Sequence, residues 1–161
     1  MPGMHRIKVY VDTSVFGGVY DEEFAEASKR FFERVSAGGC LVVLSQVTLD
    51  ELAEAPRSVR QVLEGLPDGS FMEAPVDDDA RALASAYVAA GALGEAFRED
   101  ALHVAIATVA GADLIVSWNF RHIVNFSRIQ KFNAVNLMNG YRVLDIRSPR
   151  EMEYDDEDKD V

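Results

Sequence analysis

The sequence predicts an α/β fold, a mainly parallel sheet with helices on both of its faces. Three observations carry that expectation. Strand-like and helix-like stretches alternate along the chain. The strand-like runs Leu41-Val-Val-Leu44 and Leu114-Ile-Val116 are short and wholly apolar, as strands buried on both faces are. The stretch from Phe97 to Asn119 reads as a helix that stops at Gly111 and runs straight into a core strand.

Each element has its own signal. Ile7-Lys-Val-Tyr-Val11 is the first strand, with Asp12-Thr13-Ser14 at its carboxyl end. Gly17-Gly18 marks a turn. Asp21-Glu22-Glu23 supplies the acidic first turn of a helix, favourable against its dipole. Phe24, Ala27, Phe31 and Val35 are that helix's buried stripe, and Gly38-Gly39 ends it. After the second strand, Ser45 caps a helix carrying Val47, Glu51 and Leu52, which Pro56 breaks. A further short helix over 58–66 stops at Pro67 and Gly69. Phe71–Ala74 is a third, weaker strand. Asp77-Asp78-Asp79 starts a helix in which Ala80, Leu83, Ala84, Tyr87 and Val88 keep the helical period. The central helix follows Gly91 and Gly94, with Leu102, Ala105, Ile106 and Val109 as its apolar face. A short helical turn over 120–126, a longer irregular helix over 128–139 and a last strand over 141–146 complete the pattern.

A chain of 161 residues with 48% apolar and 27% charged residues fits one ordinary domain. The expected division is a folded body over 1–147 and an acidic, disordered tail over 148–161. No run is long and apolar enough for a membrane span. No signal-peptide hydrophobic region is evident either, because the run at 7–11 is short and ends in Asp12. Cys40 is alone, so no disulfide framework is expected and a reducing cytoplasm is the simplest compartment. Of the net charge of −11, residues 151–161 hold seven acids against Lys159, a net −6, leaving −5 elsewhere. Such a chain has no overall electrostatic footprint for nucleic acid. Between Ser117 and Arg147, however, Arg121, Arg128, Lys131, Arg142 and Arg147 face only Asp145. That is a local basic patch at best, and a solvated face explains it equally well.

The chemistry follows from where the polar residues fall on this fold. Asp12 ends the first strand, Glu51 lies early in the helix leaving the second, Asp100 opens the central helix, and Asn119 follows the fourth strand. In an α/β layer a helix runs antiparallel to its strand, so all four arrive at the carboxyl edge of the sheet, where such folds place ligands. Singly, each has a bland explanation: an Asx turn for Asp12, a solvated helix face for Glu51, a capping acid for Asp100, a turn for Asn119. Together they are three carboxylates and an amide oxygen in one place. Carboxylates crowded without cations repel and raise one another's pKa, so such a cluster points to a metal. All-oxygen ligands favour Mg²⁺ or Mn²⁺ over zinc.

Four short stretches carry a resemblance to a known family. Val11-Asp12-Thr13-Ser14, Asp50-Glu51-Leu52, Glu99-Asp100-Ala101-Leu102-His103 and Ala112-Asp113-Leu-Ile-Val-Ser117-Trp-Asn119 resemble the acidic motifs of PIN-domain nucleases, in order and at suitable spacing. The resemblance covers about residues 7–146. It implies a three-layer α/β/α sandwich and metal-dependent cleavage of RNA phosphodiesters, with Asp12, Glu51 and Asp100 matching the family's acidic positions. It further implies a VapC-type toxin restrained by a small antitoxin protein, and a homodimer. One position departs: the family's fourth motif commonly ends in Asp, where this chain has Asn119. An amide oxygen can ligate but brings no charge, which weakens the case for a second ion.

Other residues near these motifs have plainer readings. Thr13, Ser14 and Ser117 could orient ligands or waters, but a turn role is favoured for each. His103 falls one turn after Asp100, and a packed, hydrogen-bonded helix residue is favoured over catalysis. Trp118 could stack on a base, but packing is the commoner role. Rival phosphoryl chemistries lack their residues. A haloacid-dehalogenase-like phosphatase would want an acid at position 14, which is Ser, and no G-x-x-x-x-G-K-[ST] loop occurs. A second class of reading stays open, that of a PIN-like binding module whose acidic pocket no longer cleaves.

Overall fold

The computed structural model describes residues 6–152. Five strands form one sheet in the order β3-β2-β1-β4-β5, and every neighbouring pair is parallel. They are β1 (Ile7–Val11), β2 (Cys40–Ser45), β3 (Phe71–Ala74), β4 (Leu114–Val116) and β5 (Asp145–Arg147). The helices between them are α1 (Thr13–Gly18), α2 (Ala25–Ser36), α3 (Gln46–Ala53), α4 (Arg57–Glu64), α5 (Asp78–Ala89), α6 (Arg98–Val109) and α7 (Phe126–Met138). The expected mainly parallel sheet is therefore wholly parallel.

Alternation along the strands divides the core in two. Val9, Val11, Val42, Leu44, Leu114 and Val116 point to the side that α1, α2 and α4 cover with Val15, Phe16, Phe31, Phe32 and Val59. Tyr10, Val43, Ile115 and Ile146 point to the other side, against Leu83 and Tyr87 of α5, Val104 and Ile106 of α6, and Phe132 of α7. These are the three layers of an α/β/α sandwich. Helix α3 sits at the carboxyl edge and contributes to both cores, Val47 to one and Leu52 to the other.

Several expectations shift. Helix α6 is buried nearly all round: Ala101, His103, Val104, Ala105, Ile106, Ala107 and Thr108 are all inside, while Leu102 and Val109 are only partly covered. A single apolar stripe was the wrong pattern for a helix packed between a sheet and α5. Gly17-Gly18 is the last turn of α1, not a loop between β1 and the next helix. Gly18 is required there by close approach, since a Cβ would lie 2.5 Å from Ser28 Oγ and 2.7 Å from Trp118 Nε1. The last strand is confined to Asp145–Arg147. Residues 141–144 only lead into it, pinned where the Leu144 amide donates to Asn133 Oδ1 and Asn133 Nδ2 donates to the Leu144 carbonyl.

The start of the stretch expected to be a disordered tail is packed onto the body. Residues 149–152 are helical, Met152 is buried in the core on the α2 side, and the Arg150 guanidinium lies over the Phe24 and Trp118 rings. The remainder of that stretch, 153–161, lies outside the described residues. No helix among the described residues is long and apolar enough to cross a membrane.

Candidate metal centre

The sheet's parallel register brings the first two groups together. Val11 pairs with Val116, so the residues that follow, Asp12 and Ser117, leave adjacent strands side by side, and the Asp12 amide donates to the Val116 carbonyl. Asp12 then takes the N-cap position of α1, yet its side chain accepts no capping hydrogen bond. One carboxylate oxygen, Oδ2, instead receives the Ser14 and Ser117 hydroxyls, each at 2.8 Å. Among the described residues no hydroxyl or amide donates to the other, Oδ1. This decides against the Asx-turn reading of Asp12.

The next group comes from β2. Ser45 ends that strand and caps α3 through a reciprocal bond with Thr48, which carries Glu51 back over the edge toward β1. There the Thr13 hydroxyl donates to Glu51 Oε1 at 2.7 Å. From the other layer, α6 presents Asp100 in its first turn and His103 three residues later. That spacing puts both side chains on one helix face. Asp12, Glu51, Asp100 and Asn119 line a single cleft of about 430 Å³, with Thr13, Ser14 and Trp118. The structure thus brings together all four residues named from the sequence.

Two histidines belong to the arrangement as well. His103 is wholly buried, with Nε2 2.6 Å from Glu51 Oε1 and 3.7 Å from Asp12 Oδ1. Its Nδ1 lies 2.7 Å from the Tyr10 hydroxyl, which is itself 2.8 Å from Ser45 Oγ. Asp12, Glu51 and His103 each offer a ligand atom, all within 4.8 Å of one another, so this group could hold a metal. His122 Nδ1 lies 2.9 Å from Asp100 Oδ2, with its ring against Phe97. The sequence favours a packed, hydrogen-bonded role for His103; the signal for more is its place one turn after Asp100, which puts both side chains on one helix face. His122 had no comparable signal, because a turn brings it to Asp100.

Protonation follows from this crowding. Burial and the Asp12 charge raise Asp100, against the pull of His122. Burial and the Glu51 charge raise Glu99, which shares a hydrogen bond with Glu51. Burial would raise Glu51 too, but the His103 contact and the Thr13 hydroxyl outweigh it and hold Glu51 below its usual range. Burial likewise would lower His103, yet Tyr10, Glu51 and Asp12 together hold it well above the ordinary imidazole value. Those neighbours favour the charged imidazole.

The remaining residues have structural duties. Asn119 Oδ1 accepts from the His122 amide, and its carbonyl accepts from the Ile123 and Val124 amides, so it caps the turn that follows β4. The oxygen through which Asn119 would ligate already has one partner. Trp118 packs, as expected: its ring stacks on Phe24 at 4.1 Å and Nε1 donates to Ser28. In the basic patch, Arg128 donates to the Arg121 and Ala92 carbonyls and Arg147 pairs with Asp145, whereas Arg121 and Lys131 remain exposed.

No protein-family model matches the chain, and neither does any curated protein sequence. Solved structures do. A chain of the VapBC2 complex from Rickettsia felis, bound to a DNA fragment from its promoter, is 12% identical. It aligns over 88% of this chain and 98% of its own, with a TM-score of 0.57. For FitAcB from Neisseria gonorrhoeae the identity is 16%, the coverage 88% and 97%, and the TM-score 0.53. For VapC20 from Mycobacterium tuberculosis, a toxin that cleaves the sarcin–ricin loop, they are 17%, 66% and 86%, and 0.51. With the wholly parallel sheet and the three layers described above, these likenesses show that the chain has the VapC-type PIN fold.

Proposed function

We propose that this chain is a metal-dependent endoribonuclease that hydrolyses RNA phosphodiester bonds as the toxin of a toxin–antitoxin pair. One observation carries the reading. Residues 12, 51, 100 and 119, from four separate segments, converge in one cleft, and the buried Asp12 carboxylate is oriented by two serines instead of capping its helix. A carboxylate held this way, with Oδ1 taking no hydroxyl or amide among the described residues, suits a cation, and the raised Asp100 and Glu99 are relieved when one is present. Asp12, Glu51, Asp100 and Asn119 would hold Mg²⁺ or Mn²⁺. Such an ion supplies charge neutralisation at the scissile phosphate and activation of a water. The chain's own part is to fix the carboxylates: Ser14 and Ser117 set Asp12, Thr13 and His103 set Glu51, His122 sets Asp100.

The substrate class and the partner rest on the neighbours, one of which cleaves the sarcin–ricin loop while another is a VapBC complex. An antitoxin segment carrying Arg could occupy the acidic cleft in place of the ion, since its planar fork pairs with carboxylates in bidentate fashion. The reading includes a cytoplasmic homodimer. It also moves the end of the catalytic body from 147 to Met152. The test is RNA cleavage by the purified chain with Mg²⁺ or Mn²⁺, with chelator, and after Asp12→Asn. Cleavage that survives chelation or the substitution overturns it. One observation favours the alternative of a non-cleaving module: Asn119 spends its oxygen on the His122 amide. That alternative is upheld if the chain binds RNA and divalent ions yet leaves the RNA intact.

A further inference from the structure

One group stands behind the acids that line the cleft. Asp12, Glu51, Asp100 and Asn119 line it, whereas His103 is wholly buried and faces Asp12 Oδ1 and Glu51 Oε1 with Nε2. A histidine that merely fills a core needs no particular aim. This one is aimed from behind: its other nitrogen lies 2.7 Å from the Tyr10 hydroxyl, which also meets Ser45 Oγ at 2.8 Å and Thr48 Oγ1 at 3.3 Å. A hydrogen-bonded outer partner on the far nitrogen is what orients a metal-binding imidazole and fixes its tautomer. With Tyr10 accepting from Nδ1 and donating onward to Ser45, Nε2 is turned to the two carboxylates, and an ion bound there would take the place of the proton that Nε2 shares with Glu51 Oε1. The oxygen ligands are prepared in the same manner, since serines occupy Asp12 Oδ2 and leave Oδ1 turned toward His103 Nε2 at 3.7 Å.

We propose that His103 Nε2 is a metal ligand alongside Asp12 and Glu51, and that this nitrogen makes the site select a first-row transition ion, Mn²⁺, over Mg²⁺. The inference rests on the metal-dependent reading above and deepens it. Mg²⁺ holds to oxygen donors and gives up its waters reluctantly, whereas transition ions accept imidazole nitrogen readily. A purely carboxylate cleft would discriminate little between the two. This one carries a nitrogen at its most buried and best-oriented position.

The test uses the full chain without an affinity tag. Calorimetric titration is expected to give Mn²⁺ an affinity at least about tenfold above Mg²⁺. Electron spin-echo spectroscopy of the Mn²⁺ complex should show modulation from a coordinated nitrogen. Growing the protein on histidine labelled with the heavy nitrogen isotope should change that modulation, and His122→Gln should leave it in place. His103→Gln should remove it and weaken Mn²⁺ by about tenfold or more, with Mg²⁺ affinity changed by less than about threefold. Tyr10→Phe, which keeps the imidazole and removes its outer partner, should weaken Mn²⁺ by about tenfold. If His103→Gln does not fold, the labelled wild type and Tyr10→Phe decide by themselves. Bound Mn²⁺ without nitrogen modulation, modulation that survives His103→Gln, or equal affinity for both ions overturns the inference and leaves the metal-dependent reading standing. Binding of neither ion overturns both.

Discussion

His103 Nε2 stands 2.6 Å from Glu51 Oε1, a contact that ties α6 to α3. The imidazole is held above its ordinary pKa and the carboxylate below its own, so each favours the other's charge.

That pairing gives the metal-free protein a pH dependence with a definite sign. The His103 contribution is complete below about pH 6.5, its unfolded value, and is lost as pH rises through the raised folded value. The Glu51 contribution is present above about pH 4.5 and is lost as pH falls through the lowered folded value. Asp100 and Glu99, both raised, also cost stability once ionised. Calorimetric melting in chelator should therefore peak between about pH 4.5 and 6.5 and decline toward pH 9. His103→Gln should flatten the alkaline decline and lower stability at pH 6, by less than the roughly 3–5 kcal/mol of a fully buried pair because Glu51 is partly exposed. An unchanged decline in the variant would place the titration on another group.

The two aspartates of the cleft should respond differently to neutralisation. Asp100→Asn relieves repulsion from Asp12, so metal-free stability is expected to stay level or rise by up to about 1 kcal/mol. Asp12→Asn keeps an acceptor for Ser14 and Ser117 but weakens two charge-assisted bonds, at a cost of about 1 kcal/mol. Both should remove metal-dependent cleavage. Wild-type cleavage by either variant would show that the site lies elsewhere.

Asn119→Asp separates a ligand from a cap. The variant retains an oxygen for the His122 amide, so the turn after β4 is kept and the change is one of charge. Cleavage at limiting metal should rise, and metal-free stability should fall by about 0.5–1 kcal/mol through repulsion with Asp12 and Asp100. Unchanged kinetics would leave Asn119 as a cap alone. Loss of activity would assign its Nδ2 group a donor role toward substrate.

Removal of residues 151–161 should not be neutral. Met152 is 4% exposed and belongs to the core on the α2 side. Met152→Ala is expected to cost about 2 kcal/mol, and the truncation at least as much. Denaturant melts of both would check this. Equal midpoints for the truncated and full chains would show that the helical turn at 149–152 contributes nothing.

The strands and the long helices were legible because their signals are local. Leu41–Leu44 and the run at 114–116 could be read as buried parallel strands from composition alone. The helix over 78–89 announced itself through its three acids and unbroken period. What was misread depends on neighbours. The lead-in at 141–144 has strand-like composition, but Asn133 holds it and the Val143 side chain is left 62% exposed. Gly17 and Gly18 look like a turn until the approach of Trp118 and Ser28 is known.

By itself the sequence determined that acids would meet at one edge, because parallel βα units bring strand ends and helix starts to the same side whatever their side chains do. It could equally name Asp12, Asp100 and Asn119, which follow a strand or open a helix, and Glu51, which the short α3 still keeps near the edge although it falls in that helix's last turn. Only the tertiary structure decided what surrounds those acids. The two serines on Asp12 come from segments 103 residues apart. His103 meets Glu51 across a separation of 52 and is aimed by Tyr10 across 93. Hydrogen bonds reach only a few ångströms, and which groups fall within that reach is fixed by strand register and layer packing. The donor set and its protonation are therefore properties of the fold that no stretch of the chain carries alone.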